Sequence, residues 1–321
     1  MTTCYLYAGQ GAQKAGMGRD LYENSETFRR VFDCADPGFD LHEVCFEDPD
    51  GKLSKTQYTQ PALLAMEAGI TEILRRAGLF PDYVAGLSLG EYAALEAADV
   101  LTASKAITMT AFRGRAMARA SEGIACGMTA VLALDEGALQ ACCGMASDAG
   151  KVYICNYNCL GQLVISGQKS AVDKASALAL KAGARRCIPL AVSGPFHTPL
   201  MKPAGEDLRR YFERVTFREP KSIVLYNCLG GENREGVPVP DLLVRQVQSP
   251  VYMEQILENL FRQGVTEFVE IGPGKTLTGF VKKTARAMGI EDGSFTTWNL
   301  DSFESTEKYL DSLKAVLKGE Q

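Results

Sequence analysis

Short apolar segments alternate with helical segments along almost the whole chain of 321 residues. The apolar segments have the length and composition of β-strands, and the stretches between them repeat apolar residues with the period of a helix. Such alternation favours a mostly parallel sheet covered by helices. The sequence therefore predicts an α/β fold. Its clearest elements are helix 61–78, strand 83–88, helix 90–98 and strand 267–272, and residues 230–240 are predicted to form a surface loop.

The alternation changes between residues 124 and 192, where two strands follow one another without a helix between them. The predicted elements are strand 129–134, helix 135–145, strands 152–158 and 162–167, helix 169–183 and strand 185–192. The order β-α-β-β-α-β is that of a ferredoxin-like unit. We therefore expect an inserted subdomain at residues 124–192, within a core formed by residues 1–123 and 193–321.

Charge and composition exclude several classes of function. The formal net charge of -5 disfavours binding to nucleic acid, whose phosphates require a basic surface. No apolar run reaches about 18 residues, and the N-terminus lacks the features of a signal peptide, so we expect no membrane segment and a cytoplasmic location. Cys155 and Cys159 have no second pair that would complete a metal site. We therefore expect buried reduced thiols and no metal.

The stretch VAGLSLGEY, residues 84–92, places Ser88 between Gly86 and Gly90. In a nucleophile elbow this spacing allows a sharp turn from strand to helix, which leaves the serine oxygen exposed and turns the next backbone N–H, that of Leu89, toward a developing oxyanion. The pattern alone is also compatible with a structural turn. Because a strand is predicted before it and a helix after it, we favour Ser88 as a nucleophile.

A serine hydroxyl needs a base, and the chain has two histidines. His42 lies among acidic residues, far from any turn, and we interpret it as structural. His197 follows a predicted strand and begins a helix, which makes it the candidate base. No aspartate or glutamate stands out as the group that orients the imidazole, so a backbone or amide oxygen is an alternative.

Seven motifs occur in a fixed order along the chain. They are GQGAQ (9–13), TQPALL (59–64), GLSLGEY (86–92), RGRAM (113–117), GPFHTPLMKP (194–203), VRQ (244–246) and IGPGKTLTG (271–279). Together they resemble the malonyl-CoA:acyl carrier protein transacylase family of fatty-acid synthesis. The resemblance covers nearly the whole chain and implies an α/β-hydrolase-like core with a ferredoxin-like insertion.

The resemblance also implies roles for individual residues. Ser88 corresponds to the acylated serine, His197 to the general base and Arg113 to the arginine that holds the malonyl carboxylate. Without the resemblance, the position of Arg113 on a helix with Arg115 and Arg119 would indicate a solvated basic face.

Further residues are assigned in the same way. Gln10 and Leu89 match the donors of the oxyanion hole through their backbone N–H groups, and Gln246 matches the residue whose main-chain carbonyl orients the histidine. Gln60 and Asn158 match polar residues near the pocket. Taken alone, Gln246 is also compatible with an exposed helix position, and Gln10 with an ordinary loop.

The chain departs from the family pattern at two positions. Ala8 stands where the family often has proline, which predicts a looser loop. Leu87 stands where histidine is common, and this puts in doubt any polar contact that the missing ring would make.

The resemblance implies transfer of a malonyl group from malonyl-CoA to the phosphopantetheine thiol of acyl carrier protein, through a malonyl-serine and without a cofactor. We expect Arg113 to select the carboxylate and Phe196 to limit the room for an α-substituent on the acyl group. We also expect the chain to act as a monomer. The alternatives are an acyltransferase that loads a polyketide synthase, a serine esterase or thioesterase, and a non-catalytic module that binds carrier protein.

Overall fold

The computed structural model of the protein describes residues 2–318. The strands are β1 (Thr3–Tyr7), β2 (Tyr83–Gly86), β3 (Cys126–Leu132), β4 (Val152–Cys159), β5 (Gln162–Gln168), β6 (Arg186–Leu190), β7 (Ile223–Tyr226), β8 (Gly231–Glu232), β9 (Val251–Tyr252), β10 (Glu267–Ile271) and β11 (Thr296–Leu300). The α-helices are α1 (Arg19–Asn24), α2 (Glu26–Asp33), α3 (Thr56–Arg76), α4 (Gly90–Ala97), α5 (Ala103–Ser121), α6 (Glu136–Met145), α7 (Lys169–Lys181), α8 (Lys202–Phe212), α9 (Val239–Gln248), α10 (Met253–Arg262), α11 (Thr276–Ala287) and α12 (Phe303–Lys318). Within the described chain, no helix is both long and apolar enough to cross a membrane.

The larger sheet has six strands in the order β11-β10-β1-β2-β7-β8. Its neighbouring strands are parallel except for β7 and β8. The strand order changes direction at β1, because later strands lie on both sides of it. In open α/β sheets, ligands bind beyond the carboxyl ends of the strands at such a point. The loops that follow β1 and β2 meet there.

The second sheet has five strands in the order β6-β3-β5-β4-β9. Four of them belong to residues 126–190 and pair antiparallel, whereas β9 comes from later in the chain and pairs in parallel with β4. Apolar side chains of this sheet and of α6 and α7 form a separate small core, which includes Val131, Ile165, Leu139 and Val172. The predicted mixed α/β fold is confirmed, with two sheets.

Several element boundaries differ from the sequence prediction because tertiary packing overrides local signals. Helix α3 begins at Thr56 and continues through Pro61, which the sequence predicts as its start. Its first turn lies directly against α5, since a Cβ on Gly114 would be 2.7 Å from the Cα of Gln57. Strand β2 ends at Gly86 instead of continuing to Ser88. The predicted loop 230–240 contains β8 and the start of α9.

Two glycines allow β1, β2 and α4 to approach one another at backbone distance. A Cβ added to Gly86 would lie 2.0 Å from the carbonyl carbon of Gly90, and one added to Gly90 would lie 2.2 Å from the oxygen of Tyr7. Both distances are far below van der Waals contact, and the atoms approached are backbone. The turn that carries Ser88 therefore requires glycine on each side.

We expect Gly86→Ala and Gly90→Ala each to lower the free energy of unfolding by about 2–4 kcal/mol, as overpacking against backbone does. Denaturant unfolding measures this change. Gly279→Ala is the matched control, because it lies inside α11 with no atom within 4 Å of its added Cβ. It should be neutral or stabilise the protein by up to about 1 kcal/mol. Equal stabilities of all three variants would contradict the close packing of the turn.

Candidate active site

Ser88 occupies the turn between β2 and α4 in a left-handed backbone conformation, with φ of 55°. This conformation is uncommon for a residue with a side chain and persists where surrounding structure enforces it. Ser88 is half-buried, whereas Gly86, Leu89 and Gly90 around it are buried. The turn therefore leaves Ser88 partly accessible while its neighbours are packed.

The predicted serine and histidine are in direct contact, since His197 Nε2 lies 2.7 Å from Ser88 Oγ. The other ring nitrogen, Nδ1, lies 2.9 Å from the carbonyl oxygen of Gln246. Because a carbonyl only accepts, Nδ1 carries the proton and Nε2 is free to accept the proton of the serine. His197 also has a positive φ, of 57°, so both members of the pair are in left-handed conformations.

The environment of His197 keeps its imidazole neutral. Burial, followed by the positive charge of Arg113, lowers the pKa of His197 to about 4, although the hydrogen bond to the Gln246 carbonyl acts in the opposite direction. The unprotonated form, which can accept a proton, therefore dominates at neutral pH. An imidazole in this state is suited to act as a general base.

Arg113 is fully buried, in contrast to the alternative of a solvated basic face. Its Nη2 donates to Ser88 Oγ at 3.2 Å and to Gln246 Oε1 at 3.0 Å, and its guanidinium lies 5.2 Å from the ring centroid of Tyr92. The Nε and Nη1 atoms of Arg113 have no hydrogen-bond partner within the described chain. Burial lowers the pKa of Arg113. A buried cation with unused donors beside a nucleophile is a binding site for an anion.

Gln246, on α9, contacts all three of these residues. Its main-chain oxygen accepts from His197, its side-chain oxygen accepts from Arg113, and its Nε2 donates to the carbonyl oxygen of Ser88 at 2.7 Å. Gln246 is fully buried, so the alternative of an exposed helix position is wrong.

The loop after β1 lies against the elbow. A Cβ added to Gly9 would be 2.6 Å from the carbonyl oxygen of Leu87. The side chain of Gln10 donates to the hydroxyl of Thr56 at 3.0 Å. In the described structure, the backbone N–H groups of Gln10 and Leu89 donate to no other protein atom. Neither N–H group is therefore occupied by a hydrogen bond within the described structure.

The remaining predicted residues lie around this centre. Gln60 is buried and donates to Gln10 Oε1 at 3.4 Å. Asn158 is buried, its Oδ1 has no hydrogen-bond partner in the described chain, and with Gln10 and Leu87 it lines a pocket of about 220 Å³. Phe196 is buried in the main core and packs closely on Gly194.

The pocket beside Gln10 lies between the two sheets, because Ala130, Val164 and Leu190 of the second sheet also line it. A larger surface groove of about 1270 Å³ runs along residues 215–224 and 236–240, and its lining includes none of the predicted site residues. Chemistry rather than size therefore identifies the site. The lining of the smaller pocket includes Gln10 and Asn158 but not Ser88, His197 or Arg113.

The two departures from the family pattern have local consequences. The N–H of Ala8 donates to the carbonyl oxygen of Ile271 at 3.1 Å, a bond that proline cannot make. The loop after β1 is thus tied to the neighbouring strand, whereas the sequence predicts a looser loop. Leu87 presents an apolar side chain to the 220 Å³ pocket.

Sequence reasoning missed two buried polar residues at the elbow, Asn227 and Glu91. The Oδ1 of Asn227 accepts from the N–H of Ser88 at 2.7 Å, and its own N–H donates to Glu91 Oε2 at 2.6 Å. Burial raises the pKa of Glu91 to about 8. Glu91 in an otherwise apolar stretch of α4 is a weak sequence signal, and Asn227 directly after β7 is a weaker one.

Residues assigned to structural roles lie away from this centre. His42 is half-exposed, contacts Asp33, and packs edge-on against Tyr22 and Phe32. The ten cysteines are unpaired thiols, as expected, and seven of them are buried. The expectation of burial is wrong for Cys34, which is exposed, and for Cys126 and Cys187, which are half-buried. Among the residues that the structure describes, no three histidine, cysteine, aspartate or glutamate side chains are grouped to hold a metal ion.

Comparisons with known proteins agree with this geometry. The acyl transferase domain family matches residues 4–302. The malonyl CoA-acyl carrier protein transacylase of Bacillus subtilis is 40% identical over 287 residues, which cover 88% of this chain and 90% of that protein. The crystal structure of the malonyl CoA-acyl carrier protein transacylase from Clostridium perfringens is 36% identical and covers 100% of both chains with a TM-score of 0.91.

A third relative was solved together with its partner. It is a malonyl-transacylase in complex with a type II PKS acyl-carrier protein, with 33% identity, a TM-score of 0.90, and coverage of 97% of this chain and 100% of that chain. Both the sequence matches and the structural matches extend over most of the length of this chain. The resemblance found in the sequence is confirmed, and the chain belongs to the acyl transferase family that includes the malonyl CoA-acyl carrier protein transacylases.

Proposed function

We propose that this protein transfers the malonyl group of malonyl-CoA to the phosphopantetheine thiol of acyl carrier protein through a malonyl ester of Ser88. The observation that carries the proposal is Arg113, a fully buried cation with two unused donor atoms whose third nitrogen lies 3.2 Å from the Ser88 oxygen. In a malonyl thioester a single methylene separates the carboxylate from the thioester carbonyl. The carboxylate can therefore pair with Arg113 while the carbonyl lies beside the Ser88 oxygen.

The first half-reaction forms the ester. His197 Nε2 removes the proton from Ser88 Oγ as that oxygen attacks the thioester carbonyl. The N–H groups of Gln10 and Leu89 stabilise the oxyanion, an effect typically worth about 3–4 kcal/mol per donor. The carbon–sulfur bond breaks, His197 returns the proton, and coenzyme A leaves as the thiol. Before the attack, the carboxylate held by Arg113 orients the thioester over Ser88.

The second half-reaction reverses these roles. His197 accepts the proton of the phosphopantetheine thiol, whose sulfur attacks the malonyl-serine carbonyl. The ester bond breaks, and Ser88 leaves with the proton that His197 returns. The same oxyanion donors serve both steps, as in other ping-pong acyl transfers. Side chains and backbone amides of this chain supply each of these functions, so the proposed mechanism uses no cofactor and no metal.

We also propose that the protein acts as a monomer in the cytoplasm and has acyl carrier protein as its partner. Acyl carrier proteins are acidic, and we infer a local basic surface near the cleft that attracts them despite the net charge of -5. The catalytic residues proposed here come from one chain, which supports action as a monomer. A cytoplasmic location suits an enzyme that meets soluble carrier protein and coenzyme A.

We also propose a finer description of the fold. The core, residues 1–123 and 193–321, is α/β-hydrolase-like, and residues 124–192 form a ferredoxin-like subdomain. The elbow between β2 and α4 supports the first statement. The element order from β3 to β6 and the strand order β6-β3-β5-β4 support the second. In this description, β9 is the strand that the core contributes to the sheet of the subdomain.

One alternative keeps the chemistry and changes the pathway. The relative solved in complex with a type II PKS acyl-carrier protein makes loading of a polyketide synthase the second candidate. The two functions differ only in the carrier protein that accepts the malonyl group. Transfer rates to a fatty-acid and a polyketide carrier protein, measured side by side, distinguish them.

We expect Ser88→Ala to abolish covalent labelling by malonyl-CoA, because the variant lacks the oxygen that lies 2.7 Å from His197 Nε2. Intact mass and peptide mapping after incubation with malonyl-CoA measure the label. The unmodified protein should gain one malonyl group on the peptide that contains Ser88. Labelling that persists in the variant would place the nucleophile elsewhere. Rapid release of free malonate without carrier protein would instead indicate a thioesterase.

We expect Arg113→Ala to lower malonyl transfer by about 100- to 1,000-fold, the usual effect of removing one partner from a buried ion pair. Activity with acetyl-CoA should rise relative to malonyl-CoA, because no buried cation is then left unpaired. Arg115→Ala is the matched control, since Arg115 lies on the same helix but is exposed. A preserved malonyl preference in Arg113→Ala would contradict the assignment of Arg113.

We expect the rate of Ser88 acylation to stay constant from about pH 8 to about pH 5 and to fall roughly tenfold per unit below the pKa of His197, which is about 4. Protonation removes the lone pair on Nε2 that accepts the serine proton. The burst of p-nitrophenol from p-nitrophenyl acetate measures this rate with an uncharged substrate, and circular dichroism at each pH verifies folding.

Arg113→Ala tests the cause of this low pKa. The charge of Arg113 lowers the pKa of His197, so its removal should shift the acid limb of the profile to higher pH. An unmodified protein with its acid limb near the usual histidine value of about 6.5 would contradict the burial of the imidazole.

A further inference from the structure

A buried asparagine, Asn227, connects the two ends of the strained turn that carries Ser88. Its Oδ1 accepts from the N–H of Ser88 at 2.7 Å, and its Nδ2 donates to the carbonyl oxygen of Gly86 at 2.7 Å. The side-chain amide of Asn227 thus bridges Gly86, the last residue of β2, and Ser88. Asn227 is fully buried and lies directly after β7, the strand that pairs with β2.

The backbone of Asn227 is fixed as well. Its N–H donates to Glu91 Oε2 at 2.6 Å, in the first turn of α4, and its carbonyl oxygen accepts from the N–H of Tyr252 at 3.0 Å, in β9. Asn227 is therefore held by the helix on one side of the elbow and by the strand that reaches the second sheet. Its amide has little freedom to follow a displacement of Ser88.

These contacts matter because the turn is strained. Ser88 has φ of 55°, and the direction of its side chain depends on the preservation of that backbone conformation. The hydroxyl must remain within hydrogen-bond reach of His197 Nε2, now 2.7 Å away. A shift of about 1 Å in a reacting group typically lowers a rate by about 100-fold. Because the N–H of Ser88 donates to Asn227, the next N–H, that of Leu89, is left as the donor for the oxyanion.

We propose that Asn227 is a positioning residue for acyl transfer, which holds Ser88 and Gly86 so that the serine oxygen stays aligned with His197. In the described structure, the hydrogen bonds of the Asn227 side chain go to Ser88 and Gly86, and none goes to His197 or Arg113. Asn227 therefore acts through the elbow alone, and its effect on the rate is independent of the acyl group. This inference rests on the proposed function only in using Ser88 as the nucleophile.

The test compares Asn227→Ala with the unmodified protein by burst kinetics, using malonyl-CoA and p-nitrophenyl acetate in parallel. We expect acylation to slow about 10- to 100-fold with both substrates. KM for malonyl-CoA should change little, because Arg113 is untouched. The labelling should still reach one acyl group per folded molecule at long times, because a misaligned serine reacts slowly but still reacts.

Asn233→Ala is the matched control. Asn233 also uses its amide for two hydrogen bonds to backbone, both to Val237, but it has no contact with the elbow. Its burst rate should stay within about twofold of the unmodified protein, since changes away from the reacting geometry have small effects. Thermal unfolding of both variants separates lost stability from lost alignment.

Asn227→Asp provides a readout that a purely structural role would not give. A protonated aspartic acid can accept from Ser88 and donate to Gly86 as asparagine does, whereas the carboxylate cannot donate. The ratio of its burst rate to that of the unmodified protein should therefore fall as pH rises from about 5 to about 7.5. The titratable or charged groups around the elbow are all present in the reference protein as well, so the ratio isolates the effect of residue 227; they are His197, Arg113, Glu91, Tyr92, Tyr226 and Cys228.

Three results would overturn the proposal. They are an Asn227→Ala burst rate within about twofold of the unmodified protein, a loss confined to malonyl-CoA, and a pH-independent ratio for Asn227→Asp. If Asn227→Ala does not fold, Asn227→Asp decides the question. An unmodified protein that reacts with p-nitrophenyl acetate at Ser88 but not with malonyl-CoA would refute the proposed function and leave this test intact.

Discussion

The hydrogen bond between His197 Nδ1 and the carbonyl oxygen of Gln246 determines the chemistry available to Ser88. A carbonyl cannot donate, so it fixes the imidazole tautomer and leaves Nε2 as an acceptor 2.7 Å from the serine oxygen. A carboxylate in this position would add a negative charge beside the buried Arg113. The neutral carbonyl avoids that ion pair, so the guanidinium stays available to an anionic substrate.

Charge balance explains why the site tolerates a buried arginine. Arg113 donates only to neutral acceptors, and its aromatic neighbour Tyr92 lies under the guanidinium. Glu91 is the acidic group whose charge acts on Arg113, and burial raises its pKa to about 8, which keeps it mostly protonated at neutral pH. The hydrogen-bond acceptors of Arg113 in the described structure are therefore uncharged, and a bound carboxylate would supply the guanidinium with a charged partner.

The elbow and the choice of His197 as candidate base were predictable from local sequence, because a turn between glycines and a choice between two histidines are short-range signals. The burial of Arg113 was not, since its helix also carries Arg115 and Arg119 and only packing reveals which face is covered. Its role came from family resemblance. Asn227 lies 139 positions from the serine whose N–H it binds, and no periodicity encodes such a contact. The boundary of α3 was misjudged at Pro61 because interhelical packing is equally non-local.

Strand β9 limits how far the two sheets can move apart. It belongs to the later part of the chain, yet it pairs with β4, and the N–H of Tyr252 within it donates to Asn227 beside the elbow. Main-chain hydrogen bonds of β9 thus join the two sheets near Ser88. A wide hinge opening between the two sheets would break these bonds, so the protein resists such an opening beside Ser88.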